Sequence, residues 1–220
     1  MSYQFDWSII WQYRDLLLSG LLNTLQLVLI SAPLALMSGA FLALMRLSGF
    51  RAFRLLSASY VEVNRNIPVV VKLFFFYFVF GIPPIFAALL GLIIHQSAYI
   101  AEDIRAAIQS IPRGQSEAAR ASGLTSWLLI RQIIMPQATK IALPTLVIEM
   151  IELLKNSSIA MVITVEELTF ASQQIESVTF RGFETATFVT LTYFVLAWLI
   201  ARVGQRYRSR STIVALGGTV

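Results

Sequence analysis

A chain of 220 residues with 57% apolar and only 13% charged side chains departs from soluble domains, where charged residues make up about 25%. With a mean hydropathy of +0.72, it reads as a membrane protein before any motif is considered. The absence of cysteine excludes disulfides and thiolate metal sites, and the single histidine, His95, argues against a multi-His metal centre, so no metal ligands are assigned.

The net charge of +5 would suggest a nucleic acid in a soluble protein. In a membrane chain it raises the question of where the positive residues lie, and no nucleic-acid partner is expected. No Gly/Ser- or Pro-rich linker divides the sequence, which reads as one domain over 1–220. Asp6 and Asp15 stand where a cleavable signal peptide would be basic, so the first span is expected to direct insertion itself.

The first 19 residues mix Trp7, Trp11 and Tyr13 with polar residues, which suits the headgroup level. A first span is predicted over 21–45, long enough for a hydrocarbon core that takes about 20 residues to cross. Pro33, Ser38 and Gly39 within it suit close helix packing. A second span is predicted over 57–81. Glu62 and Arg65 can pair there at i,i+3, Pro68 removes one backbone bond, and Lys72 either snorkels or lines a cavity. Gly81, Ile82, Pro83 and Pro84 form a tight turn into a third span over 85–104. His95, within that span, reads as a packing or hydrogen-bonding residue. A fourth span is predicted over 141–163 and a fifth over 185–203, with a polar segment at 165–183 between them. The fold class is therefore all-α and transmembrane.

Thirteen of the seventeen Lys and Arg residues fall in one set of loops. They are Arg46, Arg51, Arg54, Arg65, Arg105, Arg113, Arg120, Arg131, Lys140, Arg202, Arg206, Arg208 and Arg210. The other set holds Arg14 and Arg181, and Lys72 and Lys155 lie in spans. This asymmetry predicts that the polar stretch 109–136 and the C-terminus are cytoplasmic and the N-terminus is outside.

That stretch carries helix punctuation. Pro112 opens a helix, Gly123 ends it in a left-handed cap, and Thr125 or Ser126 caps a second helix. Trp127, Leu128, Ile130, Ile133 and Ile134 give the second helix a greasy face, and it is expected to stop before Pro136. The result is a cytoplasmic helix–turn–helix. Its small-residue first helix (Ala118, Ala119, Ala121) is narrow enough to enter a partner's groove. An amphipathic loop lying on the membrane is the plainer alternative. A DNA-binding role is poor because membrane abuts it on both sides.

Glu117, Ala118 and Ala119, then Gly123 after three residues, then Ile133, Ile134, Met135 and Pro136 after nine, resemble the EAA loop of ABC importer permeases. Met135 replaces the family's leucine, a volume-conserving change. Arg65–Asn66–Ile67–Pro68, Ile111–Pro112–Arg113–Gly114–Gln115 and Leu154–Lys155–Asn156–Ser157–Ser158 are similar to runs of the polar amino acid subfamily, closest to glutamate/aspartate-type permeases. The resemblance implies a multi-pass subunit of the bacterial inner membrane with a methionine-permease-like core. It implies that Gln115, Glu117, Ala118, Ala119, Gly123, Ile133 and Pro136 form a coupling element seated in a cytoplasmic ABC ATPase. It also implies a second permease copy or homologue, and an extracytoplasmic solute-binding protein docking near 163–183. This chain has no phosphate-binding G-x-x-x-x-G-K-[ST] loop, so ATP and Mg are expected on the partner subunit.

In the fourth span, Glu149, Glu152 and Asn156 recur on one helical face, and Lys155 lies i+3 from Glu152. Charged groups at mid-bilayer cost about 2.5–3.5 kcal/mol each on insertion scales, so they must face protein or water. Two readings stand. Glu149, Glu152, Lys155, Asn156 and Ser157 line a pathway for a polar amino acid, or the charges form a structural ion pair. Two intramembrane acids suit glutamine or a basic amino acid, whereas the motif wording suits glutamate or aspartate. A self-sufficient proton-coupled carrier using Glu149, Glu152 and His95 is the rival function. No catalytic grouping is visible, so an enzyme is not expected.

Overall fold

The structure, a computed structural model, describes residues 3–216, with side chains through Arg206. The side chains of Arg208 and Arg210, counted above on the cytoplasmic side, lie outside the described residues. All regular structure among the described residues is helical: α1 (Ser8–Gln12), α2 (Arg14–Leu47), α3 (Arg51–Asn66), α4 (Val69–Phe74), α5 (Pro84–Gln109), α6 (Arg113–Ala121), α7 (Ser126–Leu129), α8 (Met135–Ser157), α9 (Leu168–Thr179) and α10 (Gly182–Leu216).

Among the described residues, three helices have the length and apolar content to cross a membrane: Arg14–Leu47, Pro84–Gln109 and Gly182–Arg206. They contain the first, third and fifth predicted spans. The region of the second is interrupted. Pro68 cannot donate into a helix and pushes the residue before it out of the α region, so α3 ends at Asn66 and Pro68, at φ −55° and ψ 144°, caps α4. The apolar part is then the shorter run Val69–Val79. Its last turn, Phe75–Val79, is π-helical, with Phe80 N–H reaching back to Phe75 O. The region of the fourth becomes α8, rich in charge, followed by a 3₁₀ segment Ser158–Ile163 that ends at Thr164 with φ 62°. Pro33 and Pro144 lie inside intact helices.

The chain forms two compact units. One comprises Met1–Ala35, Ile67–His95 and Met150–Leu199. One core there gathers Leu27, Leu73, Leu92, Leu153 and Ile163, and a second gathers Leu17, Leu168, Ile175 and Val189. Polar closure accompanies this packing. Thr24 Oγ1 donates to Gly20 O at 3.0 Å and accepts the Leu168 amide at 3.1 Å. A Cβ at Gly20 would lie 3.0 Å from Glu167 O, tighter than an ordinary contact, so glycine suits this close approach. Glu167, fully buried, caps α9 by accepting from the Thr169 and Phe170 amides, and it accepts the Tyr193 hydroxyl at 2.9 Å. Burial raises its carboxyl above the ordinary range, and those donors pull it partly back.

The other unit comprises Leu36–Asn66, Gln96–Glu149 and Ile200–Val220. Ser57 Oγ donates to Leu42 O at 2.7 Å, and the Tyr60 and Ser97 hydroxyls bond at 3.0 Å. A Cβ at Gly39 would lie 2.6 Å from Ile100 Cγ2, which is the close helix packing the sequence suggested for this position. Gly39→Leu is expected to lower the stability of the detergent-extracted chain by about 1–3 kcal/mol through overpacking. An unchanged melting temperature would show that the helices can part without cost.

Candidate functional site

The predicted helix–turn–helix is present in the second unit. α6 begins after Pro112 at φ −57° and ψ 131°, a conformation proline adopts readily. Its buried side is narrow: Ala119 is buried, as is Ile111 just before the helix, whereas Glu117, Ala118 and Ala121 are exposed. The helix ends in a Schellman motif. The Leu124 amide bonds Ala119 O at 3.1 Å and the Gly123 amide bonds Arg120 O at 3.0 Å, with Gly123 at φ +81°. Thr125 caps the return helix, its hydroxyl accepting from the Leu128 amide at 3.4 Å. Gln137 Nε2 donates to Gln115 Oε1 at 2.6 Å and ties the return helix to α6.

One detail differs from the sequence reading. The return helix does not stop before Pro136. α7, a π-helical turn over Ile130–Ile134 and α8 follow without a break. In the π turn the Met135 amide reaches Ile130 O, five residues back. The widened ladder sits immediately before Pro136, where an α-helical ring would clash with the carbonyl four residues earlier. The apolar side chains around this turn are unevenly covered. Leu129 is buried, Ile133 and Ile134 are half-buried, and Trp127, Leu128 and Ile130 are exposed.

Along α8, Glu152 and Lys155 meet at 2.7 Å, with side chains 44% and 58% exposed. Glu149, half-buried, accepts a hydrogen bond from the amide of Gln96, which is buried on α5. Asn156 is half-buried. Ser157 is fully buried and donates its hydroxyl to Leu154 O at 2.7 Å. In the first unit, Lys72 does not snorkel. It is 6% exposed, and its Nζ donates to His95 Nδ1 at 2.9 Å. The sequence marked Lys72, His95 and Glu149 as unusual within apolar runs. It did not give their partners, because these contacts join residues 23 and 53 positions apart.

The expected Glu62–Arg65 pair does not form among the described residues. Arg65 instead lies over the Tyr99 ring, 5.2 Å from its centroid, a favourable seat for a guanidinium.

This chain belongs to the family described as the binding-protein-dependent transport system inner membrane component, which matches residues 22–211. It is 38% identical over 196 residues to the protein named "Probable glutamine ABC transporter permease protein" of Bacillus subtilis (strain 168), covering 86% of this chain and 90% of that one. It is 34% identical over 223 residues to the glutamate/aspartate import permease protein of Escherichia coli O6:H1, covering 96% and 99%. A solved structure of an amino acid ABC transporter with histidines superposes with a TM-score of 0.87 at 37% identity, covering 94% of this chain and 100% of that chain.

Proposed function

We propose that this chain is the transmembrane permease subunit of an ATP-driven importer of polar amino acids in the bacterial inner membrane. It is itself non-catalytic, and ATP and Mg are bound by a separate cytoplasmic ATPase. A second permease copy or homologue completes the pathway, and an extracytoplasmic solute-binding protein delivers the solute. Five apolar runs in the sequence support five spans, and the charge distribution supports an outer N-terminus and a cytoplasmic C-terminus. The observation that carries the coupling role is α6. It is a short helix fixed on its inner side by Ile111 and Ala119 and held by a two-bond cap, with Glu117 and Ala118 turned outward. A rigid helix with a small exposed profile suits a groove on a partner better than a bilayer surface.

The pathway is assigned to Glu149, Glu152, Lys155, Asn156 and Ser157. Support comes from the exposure of the Glu152–Lys155 pair within the fourth predicted span. Lipid is a poor neighbour for such a pair, so a second permease or water is expected to cover it. Ser157, already bonded within its helix, would reach solute only if the end of α8 loosens. The relatives are named for glutamine and for glutamate/aspartate. The motif wording favours a glutamate/aspartate-like solute, with glutamine or a basic amino acid next.

The test is purification followed by reconstitution. The chain is expected to co-purify with an ABC ATPase, and amino acid uptake is expected to stop when that ATPase is inactivated. Uptake by the chain alone, driven by a proton gradient, would instead establish the carrier.

A further inference from the structure

In the first unit, an apolar groove of about 260 Å³ lies where α1 turns into α2 beside the first turns of α10. Leu17, which is buried, and the half-buried Ile10, Leu21 and Phe188 line it, all packed on one core. Leu18 and Trp11, 55% and 74% exposed, line its open side. Arg14 completes the lining. Its guanidinium and the Trp11 indole N–H are the only polar side-chain groups among these residues. Water is therefore a poor occupant, since an ordered water needs several polar partners. A hydrocarbon chain suits the walls.

The order of residues along α2 matches the order of groups in a lipid. Arg14 opens the helix, and Leu18 and Leu21 follow at i+4 and i+7 on the same stripe. Both α2 and α10 have the length and apolar content to cross a membrane. Arg14 thus stands at the end of a span, beside an exposed tryptophan of the kind found at headgroup level, and the two leucines stand deeper. Arg14 is held only loosely. Its Nε lies 3.5 Å from Asp15 Oδ1, with side chains 65% and 91% exposed, and such a pair contributes little. No other ion pair or hydrogen bond occupies the guanidinium among the described residues. It remains able to take phosphate oxygens on two of its nitrogens. We propose that this groove holds a membrane phospholipid, with one acyl chain along Leu17, Leu21 and Phe188 and the phosphate on Arg14. The site shares no residue with the coupling helix or the assigned pathway and stands independently of both.

Native mass spectrometry of the detergent-extracted protein, with whatever subunits accompany it, reads lipid load and assembly in one spectrum. Spectra are taken after extensive detergent washing, and again after adding back dioleoyl phosphatidylethanolamine or dioleoylglycerol, which has the same chains and no phosphate. The phospholipid is expected to bind each copy of the chain at a concentration about fivefold or more below that of dioleoylglycerol. Arg14→Gln is expected to raise the half-binding concentration of the phospholipid about fivefold or more, removing its advantage. Leu18→Trp places a larger side chain over the groove and is expected to abolish this binding. Both side chains are exposed, so both variants should fold, and the comparison of the two lipids needs no variant. The proposal is overturned if the washed parent neither keeps nor rebinds phospholipid, if the two lipids bind alike, or if both variants keep the parent's lipid load. It is also overturned if Leu18→Trp separates copies of the chain without changing the lipid load, which would assign the groove to a second copy.

Discussion

Gly123→Val is expected to cut ATPase-driven uptake about tenfold or more, while Gly123→Asn stays within about twofold of the parent. The cause is backbone conformation and nothing else. Gly123 sits at φ +81°, and a Cβ built there meets no atom within 4 Å. No steric neighbour penalises a side chain, so the variants differ only in their tolerance of the left-handed region. An L-residue other than Gly or Asn loses about 1–2 kcal/mol there, and a β-branched one loses more. That is enough to depopulate the Schellman closure at Leu124 and Ala119, and with it the fixed angle between α6 and the return helix. Because Gly123 is exposed, the fold itself should survive. Uptake into vesicles and retention of the ATPase on an affinity-tagged chain are the two readouts. Normal values of both in the valine variant would remove α6 from the coupling role.

Local signals were legible wherever one residue type has one physical consequence. Gly123 had to be left-handed, Pro112 and either Thr125 or Ser126 had to stand at helix starts, and the two prolines after Gly81 had to lead into α5; the structure has all of these, with Thr125 as the cap. Pro68 and Pro136 show the limit of the same logic. Both remove a donor, but the chain responds with a full break at Pro68 and with a π turn before Pro136. Which response occurs depends on what the neighbouring turns can pack against, and that information is not local.

Long-range partners were illegible for the same reason. Glu62 and Arg65 are spaced to pair on a helix, yet Tyr99, 34 residues from Arg65, offers the guanidinium a better seat. Lys72 was assigned either to the interface or to a cavity wall, and its contact with His95 decided for the interior. Spacing identifies which side chains can meet on one element. It says nothing about which element passes opposite.

The second large effect concerns Glu152. Glu152→Ala is expected to lower uptake about tenfold to a hundredfold while the complex is recovered in normal yield. Two magnitudes separate this from a structural role. An ion pair as exposed as Glu152–Lys155, with side chains 44% and 58% accessible, contributes about 0–1 kcal/mol to stability. If assembly buried the pair between two permeases, removing one partner would cost about 3–5 kcal/mol and the complex would fall apart. Yield on size-exclusion chromatography reads the second case directly. The swapped variant, Glu152→Lys with Lys155→Glu, sharpens the comparison. An ion pair restored in reverse order would keep the complex together whichever residue carries which sign. A solute whose ammonium and carboxylate meet fixed positions would not tolerate the exchange, so uptake should remain low in a complex of normal yield. Recovery of uptake in the swapped variant would assign Glu152 and Lys155 to holding the assembly rather than to meeting the solute.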